Sequence, residues 1–372
     1  MDTVIITGAT GFIGSRIALN FLLSGWKVIA LGRGKNDIAL KNRITNVINE
    51  IGNIKADKKI FENLTAIVIN ICEPDLGINH AKINLNTGGG KILFHIAGDT
   101  SFHPGDPEKQ RLINFNGTLN IFKVFGHLVD IAVHVSTAYV SGSREGFIFE
   151  NELDKGQSFR NCYEKSKFDT EVALHKYYDN SSVPLVIQRP SIIINDTRTG
   201  RSSTFTHLNA LVEVINRTQI HHHVYDGVVA SKEIRHIILP NTHPNLAPVD
   251  PIVEAMVLIG TNKKSIGRTF HLTHPNPQSN AEVIGLLSEA FKARDLIKFP
   301  YVKELPDDLS WTEKMILRSL KIYLPFMNNE CFFDLTNTRS IVKNYDSLFK
   351  PIDLEYLHKV IRFQRSKSHV YN

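Results

Sequence analysis

The chain has 372 residues, of which 42% are hydrophobic, so it can bury a large core and has the composition of a globular protein. Its formal net charge of +6 is small for this length, and its scattered lysines and arginines favour a solvated surface over a nucleic-acid site. The three cysteines, Cys72, Cys162 and Cys331, are an odd number without metal-ligand spacing, so we expect no disulfide framework. No apolar run approaches the ~20 residues of a spanning helix, and the first strand begins too close to Met1 for a signal peptide. These features predict a cytoplasmic protein without a transmembrane segment.

The first apolar segments predict a dinucleotide-binding turn. Val4–Ile6 form a run typical of a strand buried on both faces, a helical pattern covers Ile13–Leu22, and a second strand follows at Val28–Leu31. Between the first strand and the helix lie three glycines with the spacing GxxGxxG: Gly8, Gly11 and Gly14. Glycines there permit a tight turn and let backbone N–H groups approach a pyrophosphate at the N-terminus of the helix. This position between strand and helix makes the signal specific.

The residues after the second strand indicate which dinucleotide binds. Sites for NAD place an acidic residue here to bind the ribose 2′-hydroxyl, whereas sites for NADP supply arginine. This chain has Arg33, no carboxylate before Asp37, and further positive charge at Lys35, Lys41 and Arg43. A guanidinium can pair with a 2′-phosphate and stack on adenine. We therefore favour NADPH over NADH, the alternative being a solvated basic loop.

Strand and helix patterns alternate as far as Pro190. The expected strands are Ala66–Ile71, the KILFHIAG segment, Ile131–Val135 and Leu185–Gln188, and the expected helices are Leu112–Leu128 and Cys162–Tyr178. This alternation predicts an α/β fold: a Rossmann-type, doubly wound parallel sheet with helices on both faces and right-handed crossovers. We expect residues 1–190 to form the NADP-binding domain.

The pattern is less regular in residues 191–372, which we expect to form a smaller substrate-binding region, with some segments returning to the Rossmann domain. A helix is expected from Pro248 to Ile259, with Asp250 near its N-cap. A strand at Thr269–Leu272 and a helix at Asn280–Ala293 follow.

Two segments of this region have alternative interpretations. His221, His222 and His223 form a tract without a cysteine or a paired acidic motif nearby, so we expect no metal site and favour a surface or substrate-entry segment. The segment Trp311–Phe333 mixes large apolar residues with lysine and arginine. A helix that docks one apolar face on the core is the ordinary interpretation, and contact with a membrane surface or an acyl chain is the alternative.

Candidate catalytic residues follow the Ile131–Val135 strand. Tyr163 and Lys167 are four residues apart, which places both on one face of a helix. The ammonium group is expected to lower the pKa of Tyr163 and to bind the ribose hydroxyls of the cofactor. Ser136 and Thr137 lie at the carboxyl end of a strand, where a hydroxyl can bind a carbonyl oxygen that becomes an alkoxide. A buried tyrosine beside a lysine that reaches solvent is the structural alternative.

Six segments, in this order and spacing, resemble the extended short-chain dehydrogenase/reductase family: TGATGFIG, HIAGDTSF, NFNGT, HVSTAYVSG, NCYEKSK and QRPSIII. The resemblance covers roughly the first two thirds of the chain and implies that Thr137, Tyr163 and Lys167 are the catalytic residues. Together with the basic loop, it implies that a larger set holds the cofactor or supports its site: Gly8, Thr10, Gly11, Phe12, Ile13, Gly14, Arg33, Arg43, Asn70, Ile71, Ala97, Asn114, Tyr163, Lys167 and Pro190. In this set, Asn114 is expected to support the active-site helix.

Within that family the finer pattern is similar to acyl-thioester reductases, namely male-sterility-type fatty acyl-CoA reductases and the terminal reductase domains of peptide and polyketide synthases. The matching segments are EPDLGIN, STAYV, SKFDTE, RPSIIINDTRTG, PVDPIVEAM and YLPFMNNECFFDLTNT. These NADPH enzymes also place a phosphate-binding arginine at the position of Arg33. One departure concerns adenine: the family usually has Gly-Asp before the PxLG loop, where this chain has Ile69 and Asn70, whose amide can still hydrogen-bond adenine.

The resemblance therefore implies an NADPH-dependent reductase of an acyl thioester carried by CoA or a carrier protein. The product is an aldehyde, and whether a second reduction gives the alcohol is left open. A nucleotide-sugar epimerase or dehydratase, or a reductase of free aldehydes or ketones, would use the same three residues. Arg33 argues against the epimerases and dehydratases, which usually hold NAD. A regulator that senses NADPH without turnover is a third alternative, against which the intact Thr137, Tyr163 and Lys167 argue.

Overall fold

Seven strands form one parallel sheet in the computed structural model, which describes residues 1–52, 58–78, 85, 88–101, 106–178, 183–202, 208–213, 232–233, 235–291, 297–298 and 300–368. The strands are β1 (Thr3–Thr7), β2 (Lys27–Gly32), β3 (Leu64–Val68), β4 (Lys91–His95), β5 (Ile131–Val135), β6 (Gly146–Ile148), β7 (Leu185–Pro190), β8 (Ile192–Ile194), β9 (Lys232–Glu233), β10 (Leu246–Pro248), β11 (Thr269–Leu272), β12 (Ile297–Lys298) and β13 (Cys331–Phe333). The large sheet has the order β11-β7-β5-β4-β1-β2-β3, and the pairs β10-β8, β12-β9 and β13-β6 are also parallel. The doubly wound α/β prediction is confirmed.

Helices cover both faces of this sheet. They are α1 (Phe12–Leu23), α2 (Asp37–Gly52), α3 (Pro107–Gln110), α4 (Gly117–Phe125), α5 (Cys162–Tyr178), α6 (Val249–Gly260), α7 (Asn280–Ala290), α8 (Trp311–Leu320), α9 (Leu324–Met327), α10 (Thr336–Ile341) and α11 (Leu354–Ser368). Val4 and Ile6 face a core built with α1, α2 and α6, whereas Ile5 between them faces a core built with α4 and α5. An uninterrupted apolar strand is therefore required in β1, because both of its faces are buried.

Segments after residue 190 contribute to both parts of the fold. Strand β11 pairs with β7 at the edge of the large sheet, and α6 packs against the core that contains α1. A second core joins α7, α9 and α11, with Leu287, Met327 and Leu357 buried in it. The division at residue 190 stays a prediction.

The expected helices differ from the observed ones in two places. Leu112–Leu128 begins as a π-helical turn, Arg111–Asn116, before α4. The segment Trp311–Phe333 contains α8, α9 and β13 instead of one helix. Pro325 is in the first turn of α9, and because proline lacks an N–H and restricts the residue before it, a continuous helix is disfavoured there.

Asp250 has a different role from the expected helix cap. It lies in the first turn of α6, but its Oδ1 accepts the backbone N–H of Thr197 at 2.9 Å. Its other oxygen accepts the hydroxyl of the same threonine. Asp250 thus holds the loop after β8 against α6.

A buried ion pair joins β7 to α5. The guanidinium of Arg189 donates from Nε to both carboxylate oxygens of Glu171, at 3.1 and 3.0 Å, and from Nη2 to Oε2 at 2.7 Å. Its Nη1 donates to the carbonyl oxygens of Glu150 and Glu152 at 3.3 and 2.8 Å. Both charged side chains are almost completely buried, so their polar atoms are satisfied by one another and by the backbone.

We predict that Gly260→Ala destabilises the protein and that Gly285→Ala does not. A Cβ at Gly260, the last residue of α6, would lie 2.1 Å from the ring of the buried Phe94 in β4, whereas a Cβ at Gly285 in the exposed face of α7 meets nothing. Overpacking costs about 1–3 kcal/mol, and alanine gains about 0.5–1 kcal/mol over glycine within a helix. The free energies of unfolding from urea denaturation check both values, and equal effects of the two substitutions would contradict the packing argument.

Candidate active site

The glycine turn has the geometry that a pyrophosphate site requires. Gly8 has φ 77°, a left-handed conformation, and a Cβ there would lie 2.9 Å from the backbone nitrogen of Ala97. A Cβ on Gly14 would lie 2.2 Å from the carbonyl oxygen of Gly8. Side chains are therefore excluded where α1 crosses β1, and the N-terminus of α1 opens toward the ligand position. The turn fits a dinucleotide phosphate.

A cavity of about 1500 Å³ runs along the carboxyl ends of the sheet strands from this turn. All but one of the residues expected at the site line it: Gly8, Thr10, Gly11, Phe12, Ile13, Gly14, Arg33, Arg43, Asn70, Ile71, Ala97, Thr137, Tyr163, Lys167 and Pro190. The exception is Asn114. One cavity thus contains both the expected cofactor residues and the expected catalytic residues.

The basic residues lie at one end of this cavity. Arg33 and Arg43 are exposed, and Nη2 of Arg43 donates to the carbonyl oxygen of Arg33 at 2.5 Å. Asp37, the first carboxylate after β2, accepts the backbone N–H of Val68 at 2.7 Å through Oδ1. This hydrogen bond directs the carboxylate toward β3.

Asn70, the expected adenine ligand, forms hydrogen bonds within its own loop. Its Nδ2 donates to Oε1 of Glu73 at 2.8 Å, and its Oδ1 accepts the backbone N–H of Cys72 at 3.2 Å. The same loop contains Leu76, a buried non-glycine residue with φ 62°. Asn70 therefore builds the wall of the cavity, and its contact with adenine stays a prediction.

The hydroxyls of Thr137 and Tyr163 meet at the other end of the cavity. Thr137 lies two residues after the end of β5. Its Oγ1 donates to the carbonyl oxygen of Pro190 at 3.4 Å and accepts the N–H of Tyr139 at 3.3 Å. A side-chain hydrogen bond also joins Thr137 to Tyr163. Since Tyr163 and Lys167 lie on successive turns of α5, the fold brings all three expected catalytic residues to one place.

The protonation equilibria differ from the expectation for Tyr163. Burial raises its pKa to about 12, and the hydrogen bond with Thr137 only partly opposes this shift. Lys167 donates from Nζ to the carbonyl oxygen of Val135 at 2.6 Å, and burial lowers its pKa to about 8, partly opposed by the charge of Glu171. The expected lowering of the Tyr163 pKa by Lys167 is thus not found, because desolvation of the phenol dominates.

Asn114 lies behind the cavity wall. Its Nδ2 donates to the carbonyl oxygen of Asp99 at 3.0 Å and to Oγ of Ser166 at 2.9 Å, and its Oδ1 accepts the N–H of Asp99 at 2.7 Å. Ser166 lies between Tyr163 and Lys167 on α5. The amide of Asn114 thus joins α5 to the loop after β4.

Three aromatic residues that the sequence analysis did not assign to the site line the cavity: Tyr139, Tyr323 and Phe326. Tyr323 and Phe326 belong to the Trp311–Phe333 segment, for which contact with an acyl chain is the alternative interpretation. The rings of Tyr139 and Phe326 are edge to face, with centroids 5.0 Å apart. The YV of the STAYV segment could have indicated Tyr139, which lies two residues after Thr137. Which residues of the Trp311–Phe333 segment reach the cavity could not be predicted, because their approach depends on the tertiary docking of α9.

Some expectations from the sequence concern residues that the structure does not describe. The histidine tract at 221–223 is one of them, so the absence of a metal site stays a prediction. None of the described helices is both long and apolar enough to cross a membrane.

Comparisons with known proteins agree with this geometry. Residues 6–256 match the male sterility protein family. Nonribosomal peptide synthetase asaC from Aspergillus flavus is 24% identical over an alignment of 385 positions. The alignment covers 96% of this chain but 36% of that protein, so the chain spans little more than a third of this relative.

Two solved structures share the fold. The terminal R domain from the myxalamid PKS-NRPS biosynthetic pathway has a TM-score of 0.77 at 19% identity, covering 99% of this chain and 92% of that one. UDP-glucuronic acid 4-epimerase from Bacillus cereus, in complex with UDP-glucuronic acid and NAD, has a TM-score of 0.67 at 17% identity, covering 98% and 99%. With its glycine turn, its cavity and the match over most of its length, the chain belongs to the male sterility protein family of NAD(P)-dependent oxidoreductases, within the extended short-chain dehydrogenases/reductases.

Proposed function

We propose that this protein is an NADPH-dependent reductase of acyl thioesters. The observation that carries the proposal is the single cavity in which a basic dinucleotide end meets the hydroxyls of Thr137 and Tyr163 and the ammonium of Lys167. The relatives support this choice over epimerisation, since the nonribosomal peptide synthetase matches almost the whole chain. The epimerase shares only the fold.

The chain's own residues can bind and protonate a reacting carbonyl. A nicotinamide dinucleotide held by the glycine turn and the basic end of the cavity would supply the hydride for reduction of the thioester carbonyl. The hydroxyls of Thr137 and Tyr163 donate hydrogen bonds to the oxygen on which negative charge develops. Because its pKa is raised to about 12, Tyr163 holds its proton at neutral pH and can donate it to that oxygen. The resulting hemithioacetal then loses the thiol by cleavage of the C–S bond and leaves an aldehyde.

The preference for NADPH follows from the basic end of the cavity. Arg33 and Arg43 can pair with a 2′-phosphate, while the carboxylate of Asp37 is engaged with the backbone of β3. An NAD site would need that acid to face the ribose.

The acyl group would lie against residues from the second half of the chain. Tyr323 and Phe326, with Tyr139, form an aromatic wall of the cavity beyond the catalytic residues. The synthetase relative and the terminal R domain favour a carrier protein as the source of the thioester, with CoA as the alternative.

The first experiment is NADPH oxidation with acyl-CoAs, acyl-loaded carrier proteins, aldehydes and UDP-sugars, with products identified by mass spectrometry. Thioester-dependent oxidation with release of an aldehyde or alcohol is expected. Turnover of aldehydes alone would instead establish simple carbonyl reduction, and NADPH binding without any turnover would indicate a sensor.

We predict that Tyr163→Phe lowers kcat by about 10²- to 10⁴-fold, since it removes the proton donor. NADPH affinity, measured by fluorescence titration, should be retained. Tyr177→Phe is the matched control, because Tyr177 is an exposed tyrosine of the same helix and does not line the cavity. Retention of most turnover by Tyr163→Phe would contradict the assigned role.

Arg33→Ala is expected to weaken NADPH binding by about 2 kcal/mol, or about thirtyfold, through loss of a charge-assisted contact with the 2′-phosphate. NADH binding should not change. Lys35→Ala removes an equal charge from an exposed residue that does not line the cavity and serves as the control. A parallel loss of NADPH and NADH affinity in Arg33→Ala would count against 2′-phosphate recognition.

The pH dependence of kcat/KM should report the pKa of Lys167 in the free enzyme. Its ammonium form predominates below its pKa of about 8, so activity should fall as pH rises through that value and the positive charge is lost. In Lys167→Arg the guanidinium stays charged, so residual activity should not show this fall. A decline at the same pH in both proteins would exclude Lys167 as its origin.

A further inference from the structure

A buried histidine connects the dinucleotide turn to the active-site helix. His95, the last residue of β4, has no exposed surface, and both of its ring nitrogens are hydrogen-bonded. Nδ1 is 2.8 Å from Oγ1 of Thr7 at the end of β1, and Nε2 is 2.9 Å from Oγ1 of Thr118 in α4. The side chain therefore spans the distance between a sheet strand and a helix.

The neighbouring hydrogen bonds fix which group donates at each step of the series Thr7–His95–Thr118–Asn114, called here the His95 hydrogen-bond series. Oγ1 of Thr7 accepts the backbone N–H groups of Ile96 and Ala97, each at 3.1 Å, so its own proton is donated to Nδ1 of His95. The ring must then carry its proton on Nε2 and donate it to Thr118. Thr118 in turn donates to the carbonyl oxygen of Asn114 at 2.6 Å.

The ring stays neutral in this position. Burial lowers the pKa of His95 to about 3, and the charge of Lys167 acts in the same direction. The His95 hydrogen-bond series requires a neutral ring, with one nitrogen as donor and the other as acceptor.

Each end of the His95 hydrogen-bond series contacts the candidate active site. At the first end, Ala97 packs against Gly8 of the dinucleotide turn. At the other end, the carbonyl oxygen of Asn114 lies 3.2 Å from the hydroxyl of Thr170 in α5, which also donates to the carbonyl oxygen of Ser166 at 2.6 Å. The side-chain amide of Asn114 donates to Oγ of Ser166. Asn114 belongs to the π-helical turn Arg111–Asn116, and such turns are frequent at functional sites.

We propose that His95 is a positioning residue that fixes Asn114, and through it the helix carrying Tyr163 and Lys167, relative to the dinucleotide turn. The hydrogen bond from Nε2 to Thr118 carries this effect toward α5, and the bond to Nδ1 secures the turn. The inference rests on the proposed function, because the reaction supplies the kinetic readout.

His134 offers a matched control. It lies on the neighbouring strand β5, is equally buried, and stacks on His95 with ring centroids 5.8 Å apart. Neither of its ring nitrogens has a hydrogen-bond partner among the residues that the structure describes. The two histidines thus share burial and packing and differ in their hydrogen bonds.

The experiment compares His95→Phe, His95→Gln, His95→Asn and His134→Phe. His95→Phe should lower kcat by roughly tenfold to a hundredfold through misplacement of α5, and His134→Phe should leave it unchanged. Glutamine can place an amide N–H where Nε2 donates to Thr118 and should restore much of the rate. Asparagine reaches only toward Thr7 and should not. NADPH affinity by fluorescence titration accompanies each rate.

Amide hydrogen exchange gives a readout that does not depend on turnover. The amides of α5 should exchange faster in His95→Phe than in the native chain, and no faster in His134→Phe. If His95→Phe does not fold, Thr118→Val interrupts the same series of hydrogen bonds with little change in side-chain volume. It should reproduce both the loss of rate and the faster amide exchange of α5.

Two results would overturn the proposal: equal kinetics and exchange in His95→Phe and His134→Phe, or equal rates in the glutamine and asparagine variants. If the native protein turns over no thioester or aldehyde, the proposed function has failed. The exchange comparison then decides the positioning role by itself.

Discussion

The geometry of the site depends on the buried ion pair between Arg189 and Glu171. These two charges fix β7 against α5, and so place Pro190, whose carbonyl oxygen contacts Thr137, opposite the helix that carries Tyr163. Removal of one partner from such a pair leaves an unpaired buried charge and costs about 3–5 kcal/mol. Since the guanidinium also satisfies two carbonyl oxygens of the segment before α5, the pair organises three elements at once.

The central part of the fold follows from local signals in the sequence. Strand β5 and helix α5 have the predicted bounds, because apolar runs and polar breaks mark their ends. The glycine spacing also locates the dinucleotide turn, since the close approach of Gly14 to Gly8 depends on neighbouring residues alone. The three expected catalytic residues meet because parallel strands present their carboxyl ends at one edge of the sheet.

Other features depend on contacts between distant segments and could not be predicted in this way. The role of Asp250 requires the loop at Thr197, and the aromatic wall requires α9 to dock beside Tyr139. The raised pKa of Tyr163 is of the same kind: four-residue spacing places a lysine nearby, but only the packed structure shows that the phenol is buried and that burial raises its pKa. The tautomer of His95 likewise depends on which backbone N–H groups Thr7 accepts.

The pairing of β11 with β7 affects how proteins of this family can be recombined. An exchange of everything after residue 190 with a relative would replace the strand that covers the edge of β7, and would separate α6 from the core it shares with α1. An unpaired strand edge promotes association between chains. A chimera that tests the proposed acyl site should therefore retain the native residues from α6 to β11. It should also retain residues 335–349, because Leu335, Val342, Tyr345 and Phe349 are buried in the same core.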